Sequence, residues 1–282
     1  MKLSCLPVSF YPQIISGEMR LGAWARMGAS LGLDAVDVSI LFFSDRSPRA
    51  LARARREVEA EGMSLAMMST YPDFTHPDPT ERARELDRAR GCVDVAAALG
   101  IRFIRAIAGQ AHPETGREEG IAWAADGLRR LVEAAHGSGV TIVYENHDQA
   151  GSMQYQDFSA PEDIFLMLVE ETADVGLGIN FDTANATVLT PDPLALLERV
   201  IDRVVTLHAS DTLASKGSIR PTVIGTGVVP FDKVFGRLHE ARWANWISIE
   251  EASGQGRQGV ETAVRFIRRT WTEAGAAHSG NR

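Results

Sequence analysis

Short apolar runs alternate with longer amphipathic stretches along the whole chain, and this alternation constrains the fold more than any other feature. Short runs of aliphatic residues predict strands, whereas apolar residues spaced three or four positions apart predict helices. The strand–helix unit repeats eight times, which predicts a parallel sheet covered by helices. The predicted strands are Leu3–Val8, Ala35–Ile40, Ser64–Thr70, Arg102–Ile107, Thr141–Glu145, Gly178–Asp182, Val204–His208 and Trp246–Glu250.

The ends of the predicted helices favour a closed sheet. Four helices are followed by a glycine that leads directly into the next strand, where a left-handed glycine ends the helix and turns the chain back. Eight units joined in this way predict a (β/α)8 TIM barrel, an α/β fold with one domain spanning residues 1–282. The glycines are Gly32, Gly62, Gly100 and Gly139, and the clearest helical stretches are Pro79–Leu99, Arg117–His136, Leu194–Ile201, Phe231–Ala241 and Gly259–Glu273.

An open doubly wound sheet is the alternative arrangement of alternating strands and helices. That fold normally carries a glycine-rich phosphate-binding turn after its first strand. The corresponding turn here is Ser9-Phe10-Tyr11-Pro12, which contains no glycine. We therefore expect the closed barrel rather than the open sheet.

The composition indicates the environment in which such a barrel would work. The 282 residues are 45% hydrophobic and carry a net charge of −8, which disfavours binding to nucleic acid or anionic membranes. Cys5 and Cys92 are isolated cysteines, and no run approaches the roughly 20 apolar residues of a membrane span. The first residues lead into a strand without the apolar segment of a signal peptide. We expect a soluble cytoplasmic protein without nucleic-acid or membrane partners, and a homo-oligomer is compatible with these features.

Polar residues end the last four predicted strands, always on the same face. Strand residues alternate between two faces, so each strand can be divided by parity. One parity is apolar, as expected for residues that pack under helices: Ile142, Tyr144, Ile179, Phe181, Val205, Leu207, Ile247 and Ile249. The other parity faces the barrel axis and ends in Glu145, Asp182, His208 and Glu250. Active sites of such barrels lie at the C-terminal ends of the strands, so these four side chains are predicted to converge.

A divalent metal ion is the expected ligand of these four residues. Three carboxylates in one small volume repel each other and would be forced to protonate unless a cation joins them. Oxygen ligands with one imidazole suit Mn²⁺ best, with Mg²⁺ and Co²⁺ as alternatives. Each carboxylate could instead cap a helix or pair with an arginine, but four at corresponding strand ends favour the metal. Parity also selects Glu250 over Glu251, which is predicted to point toward the helices.

The same residues carry a resemblance to a known family. The chain resembles the sugar phosphate isomerase/epimerase group of the xylose-isomerase-like TIM-barrel superfamily, and within it the D-tagatose 3-epimerases. The resemblance implies metal ligands at Glu145, Asp182, His208 and Glu250, with Glu145 and Glu250 also acting as the acid/base pair. It rests on Tyr144-Glu145-Asn146-His147, Phe181-Asp182-Thr183-Ala184-Asn185, Leu207-His208-Ala209-Ser210-Asp211, Gly225-Thr226-Gly227-Val228-Val229-Pro230-Phe231 and Ile249-Glu250-Glu251.

Two departures from the epimerases affect the substrate side. The epimerases place a histidine three residues after the metal aspartate, where this chain has Asn185, and an arginine six residues after the metal histidine, where it has Ala214. Both positions contact substrate in the epimerases, so the resemblance leaves the substrate and the exact reaction open. The residues predicted to bind substrate are His147, Asn185, Asp211, His112, Lys216 and Arg220.

The predicted function is a metal-dependent isomerase that acts on a ketose or keto-sugar. Two glutamates on opposite sides of a substrate can move a proton next to a carbonyl, while a metal stabilises the enediolate that forms. The alternative is a lyase, either a dehydratase or a deglycosidase-type elimination on a keto-sugar or keto-inositol, which shares the first step. A repair endonuclease with this barrel would need several zinc ions and more histidines. A non-enzymatic sugar-binding barrel is the third option.

Overall fold

In a computed structural model of the protein, which describes residues 1–151 and 153–280 (the backbone alone for residues 279 and 280), eight parallel strands form a nearly closed barrel. The predicted (β/α)8 fold is confirmed, and the strand bounds differ from the prediction by at most two residues. The strands are β1 Lys2–Leu6, β2 Val36–Ser39, β3 Leu65–Ser69, β4 Phe103–Ala106, β5 Thr141–Glu145, β6 Gly178–Asp182, β7 Val204–Ala209 and β8 Trp246–Glu250.

Ten α-helices in the described part of the chain surround or cap the barrel. The last helix begins three residues before the predicted stretch and ends seven residues after it. The helices are α1 Tyr11–Ser16, α2 Leu21–Ser30, α3 Pro48–Glu59, α4 Pro79–Leu99, α5 Arg117–Ala135, α6 Glu162–Glu171, α7 Thr183–Leu189, α8 Pro193–Val200, α9 Phe231–Glu240 and α10 Gly256–Gly280. None of these is long and apolar enough to span a membrane.

The helix-to-strand turns have the predicted backbone. Gly32, Gly62, Gly100 and Gly139 all have φ between 72° and 80°, the left-handed region in which a side chain is strained. Because these turns lie at the N-terminal ends of the strands, the opposite end of the barrel is left to the longer loops that follow each strand.

The barrel is closed between β1 and β2 by a seam without a regular ladder. The amide of Asp34 donates to the carbonyl of Leu3 at 2.8 Å, and the Leu3 amide donates to Asp34 Oδ2 at 2.8 Å. Inside the barrel, Asp37 Oδ2 accepts hydrogen bonds from the hydroxyls of Ser4 and Ser248, each at 2.6 Å. Burial raises the pKa of Asp37. This carboxylate therefore joins β1, β2 and β8 at the seam.

The apolar strand residues that were predicted to face the helices do so, with one exception. Tyr144 faces outward and its ring lies 5.3 Å from that of Phe165 on α6, measured between centroids. Val205 was predicted to lie under the helices, and this prediction is wrong. The register between β6 and β7 shifts at this point, and Val205 packs against Val143 and Phe103 inside the barrel. A bulge adds one residue to a strand and so reverses the local parity.

Two helical glycines provide a test of the packing between helices and barrel loops. A Cβ at Gly127 on α5 would clash with the ring of Phe74, whereas a Cβ at Gly91 on α4 would meet no atom within 4 Å. We expect Gly91→Ala to raise the free energy of unfolding by about 0.5–1 kcal/mol through helix propensity. Gly127→Ala should lower it by about 1–3 kcal/mol despite the same propensity gain, because the packed ring must move. Urea unfolding of both variants measures the difference, and equal stabilisation would contradict this account of the packing.

Candidate functional site

Four side chains predicted to bind metal converge at the C-terminal ends of β5 to β8. Glu145, Asp182, His208 and Glu250 each place one ligand atom within 4.8 Å of all the others. His208 Nδ1 lies 2.6 Å from Glu145 Oε1 and 3.0 Å from Glu250 Oε2. No second group of three such side chains occurs among residues 1–151 and 153–280.

The chemistry of this cluster fits a divalent cation. His208 is fully buried, and neither ring nitrogen makes a hydrogen bond of acceptable geometry. Burial raises the pKa of Asp182 well above its usual range, and the charges of Glu145 and Glu250 raise it further. A cation would remove this repulsion and would take a lone pair of the imidazole. The residues present therefore fit one ion with oxygen-rich coordination.

Neighbouring polar groups fix the orientation of the side chains in the cluster. Glu145 Oε1 accepts a hydrogen bond from Asn180 Nδ2 at 2.6 Å, and the Asn180 side chain is held in turn by the Thr206 hydroxyl at 2.7 Å. The Asp182 carboxylate accepts hydrogen bonds from the Ser210 hydroxyl at 2.8 Å and from the backbone amide of Asn185 at 2.7 Å. This last bond makes Asp182 the N-cap of α7, so the start of the helix sets the position of the carboxylate.

Arg105 on β4 is a buried residue of the site that the strand-end pattern missed. Its Nε lies 3.3 Å from Glu145 Oε2, and its Nη1 donates to the carbonyl of Thr70 at 3.0 Å. Burial alone would raise the pKa of Glu145, but the charges of Arg105 and His208 lower it to about 2. A cation within the otherwise apolar strand Phe103–Ala106, on the inward parity, was the signal that could have revealed it.

A cavity of about 610 Å³ opens at this end of the barrel. Asp182, Glu250 and Arg105 line it, while Glu145 and His208 are almost fully buried and do not. The Glu250 side chain is 28% exposed, so it is the cluster carboxylate that faces the cavity most openly. One wall is apolar and aromatic, and consists of Val8, Tyr11, Leu41 and Tyr71. The opposite wall comes from the loops after β5 and β7.

Three of the residues predicted to bind substrate line the cavity. His147 Nδ1 lies 3.5 Å from Asp157 Oδ2 without a hydrogen bond, so the ring is placed near an acid but is not held by it. Asn185 uses its side-chain oxygen to accept from the Asp148 amide at 3.2 Å. The carboxylate of Asp211 is occupied by backbone amides, and it organises the loop before α9; these amides belong to Thr212, Gly225, Gly227 and Val229.

The other three predicted residues are not brought to the cavity wall. His112 Nε2 pairs with Asp73 Oδ2 at 2.8 Å, and its ring packs edge-on against those of His76 and Tyr155. Lys216 and Arg220 are exposed in the loop after β7 and do not line the cavity, although their neighbours in that loop do. Their sequence positions placed these residues in loops at the C-terminal ends of the strands, but the packing of each loop decides which way its side chains face.

The family described as xylose isomerase-like TIM barrel matches residues 25–270, which is most of the chain. The chain belongs to this family. A curated relative, L-ribulose-5-phosphate 3-epimerase UlaE of Shigella boydii, is 24% identical over 98% of this chain and 96% of its own.

Solved structures show the same fold. The structure of an L-ribulose 3-epimerase superposes with a TM-score of 0.81 at 17% identity, covering 99% of this chain and 97% of that one. The probable 3-DHS dehydratase AsbF from Bacillus anthracis has a TM-score of 0.76 at 14% identity, covering 95% of this chain and 99% of that one. At these identities the likeness shows the fold alone.

Metal content tests the ligand assignment directly. We expect Mn²⁺ to bind the wild type and to raise its free energy of unfolding by about 2.7 kcal/mol at a hundredfold excess over Kd. His208→Ala and Asp182→Ala should lose most of the bound metal and this stabilisation, because each removes one of four ligands. His136→Ala, at an exposed histidine at the end of α5, is the matched control and should behave as wild type. The assignment fails if the wild type binds no divalent ion in elemental analysis.

Proposed function

We propose that this protein is a divalent-metal-dependent sugar epimerase or isomerase that moves a proton next to the carbonyl of a ketose or keto-sugar. The feature that carries the proposal is the cluster of three carboxylates and one imidazole beside a cavity of about 610 Å³. A cavity of that volume accommodates a small molecule of monosaccharide size. The epimerase relatives, which match nearly the whole chain, support the same class of reaction.

The residues divide the work of the reaction between them. Glu250 faces the cavity and is the group we assign to take the proton from the substrate carbon. Glu145, on the neighbouring side of the cluster, is the proposed partner that returns a proton to the opposite face, which makes the outcome an epimerisation. A divalent ion at the cluster, Mn²⁺ in our proposal, would supply positive charge to the substrate oxygens as the proton leaves.

The surroundings of the two glutamates differ. Glu145 is fixed by Asn180 and lies beside the Arg105 guanidinium, and its low pKa of about 2 makes it a stable anion and ligand. Glu250 is more exposed to the cavity, and its Oε2 lies 3.0 Å from His208 Nδ1. Glu250 is therefore the first residue to test for proton transfer.

Elimination is the second candidate function. It shares the removal of the proton next to a carbonyl, and the fold resemblance to a probable 3-DHS dehydratase favours considering it. Asn185 and Ala214, which replace residues that contact substrate in the epimerases, also allow a different outcome. Free ketoses, ketose phosphates and keto-glycosides incubated with Mn²⁺ in D₂O separate the two. Deuterium incorporation with recovery of an epimer or isomer supports the proposal, and loss of water or of an aglycone supports elimination.

Replacement of each glutamate by glutamine tests the proton-transfer pair. Glu250→Gln and Glu145→Gln keep an oxygen ligand but remove the basic carboxylate, so each should lower kcat by at least the 10²–10⁴-fold typical of a general base. If the pair acts from opposite faces, one variant should block deuterium exchange from one epimer. The other variant should block exchange from the other epimer.

The matched control for this experiment is Glu251→Gln. Glu251 follows Glu250 directly but does not line the cavity, and its Oε1 accepts a hydrogen bond from the Ser253 amide at 3.0 Å. This variant should exchange protons as the wild type does. If Glu250→Gln abolishes exchange from both epimers while Glu145→Gln leaves it intact, the two-base mechanism is wrong and Glu145 is a ligand only.

A further inference from the structure

The guanidinium of Arg105 has unused hydrogen-bonding capacity at the cavity. Nη1 donates to the Thr70 carbonyl, and Nε lies near Glu145 Oε2 without the geometry of a hydrogen bond. Nη2 makes no hydrogen bond to any residue in the described ranges 1–151 and 153–280. Arg105 is 2% exposed and lines the cavity, so its free donors can reach only a molecule bound there.

Neutralisation of Glu145 alone does not explain this arrangement. An arginine that serves a carboxylate in an apolar interior normally forms two parallel hydrogen bonds through its planar fork. Here Nε lies 3.3 Å from Glu145 Oε2, and Nη1 donates to the Thr70 carbonyl instead of to that carboxylate. Burying a guanidinium is costly unless its donors are used, which points to a second oxygen partner.

Two tyrosines extend the donor surface beside Arg105. The guanidinium carbon lies 4.8 Å from the centre of the Tyr71 ring, within the range of a cation–π interaction. The hydroxyls of Tyr71 and Tyr11 are 3.4 Å apart, and both residues line the cavity. Arg105, Tyr71 and Tyr11 thus form a group of neighbouring donors that line the cavity.

We propose that Arg105 is a catalytic residue that binds the substrate oxygen on which negative charge develops when the proton next to the carbonyl is removed. This inference rests on the proposed function. The Glu250 carboxylate takes the proton, the electron pair of the C–H bond forms a C=C bond, and the C=O π electrons move onto oxygen. The Arg105 N–H groups hydrogen-bond that oxygen and keep all their protons. Return of a proton to carbon reverses the electron movement.

The test compares Arg105→Gln and Arg105→Lys with Arg102→Gln, which alters an exposed arginine just before the same strand. On the Mn²⁺-loaded protein we expect Arg105→Gln to lower kcat for a ketose by about 10²–10³-fold, the usual loss for one oxyanion donor, with little change in KM. Arg105→Lys should retain part of the activity, and Arg102→Gln should retain all of it. Metal content should be unchanged in all three.

Calorimetry with glycolohydroxamate, a small mimic of an enediolate, provides a readout independent of turnover. Arg105→Gln should weaken its binding by at least tenfold, because the mimic carries the negative oxygen that Arg105 is assigned to bind. Equal affinity in the wild type and Arg105→Gln would overturn the inference, as would a loss of metal that accounts for the loss of kcat. A wild type that binds the mimic in an Arg105-dependent way but exchanges no ketose proton would instead overturn the proposed function.

Discussion

Three carboxylates share one buried volume at the end of the barrel, and the surrounding structure compensates for only part of their repulsion. Arg105 supplies one permanent positive charge beside Glu145, and the first turn of α7 together with Ser210 supplies hydrogen-bond donors to Asp182. Three carboxylates and one guanidinium still leave two negative charges, which a divalent cation would balance. The pKa of Asp182 is raised for the same reason, because burial and the neighbouring carboxylates both oppose its ionisation.

The geometry of the cluster depends on the closure of the barrel some distance away. The four residues of the cluster lie on β5 to β8, and β8 is also joined to β1, which meets β2 at the seam. Asp37 spans that seam by accepting from Ser4 and from Ser248, which lies two residues before Glu250 on the same strand. A buried carboxylate that accepts several hydrogen bonds tolerates little movement of its donors. The seam therefore also fixes the position of Glu250 along the barrel axis, relative to the cavity.

The sequence predicted those parts of the site that depend on local periodicity. Strand alternation is a property of neighbouring residues, so it was sufficient to place Glu145 and Glu250 on the inward face. It failed at Val205, because a bulge is set by the partner strand and adds a residue that no local pattern marks. It also missed Arg105: a cation on the inward parity of β4 is visible in the sequence, but its contact with Glu145 follows from the pairing of β4 with β5. The direction of His112 depends on contacts with Asp73 and Tyr155, from loops distant in sequence.

The division between strands and loops also separates the proposed chemistry from the proposed choice of substrate. The four residues of the cluster, together with Arg105, are carried by strands and have little freedom to move. The wall above them comes from the loops after β5 and β7, which are joined by Asp148: its Oδ1 accepts from Gln156 Nε2 at 2.7 Å, and its Oδ2 lies 3.5 Å from the Ile219 amide. The departures from the epimerase pattern at Asn185 and Ala214 both fall outside the strands. A loop substitution such as that at Ala214 costs the fold less than one on a buried strand, so the wall above the cluster is where a difference in substrate is most readily accommodated.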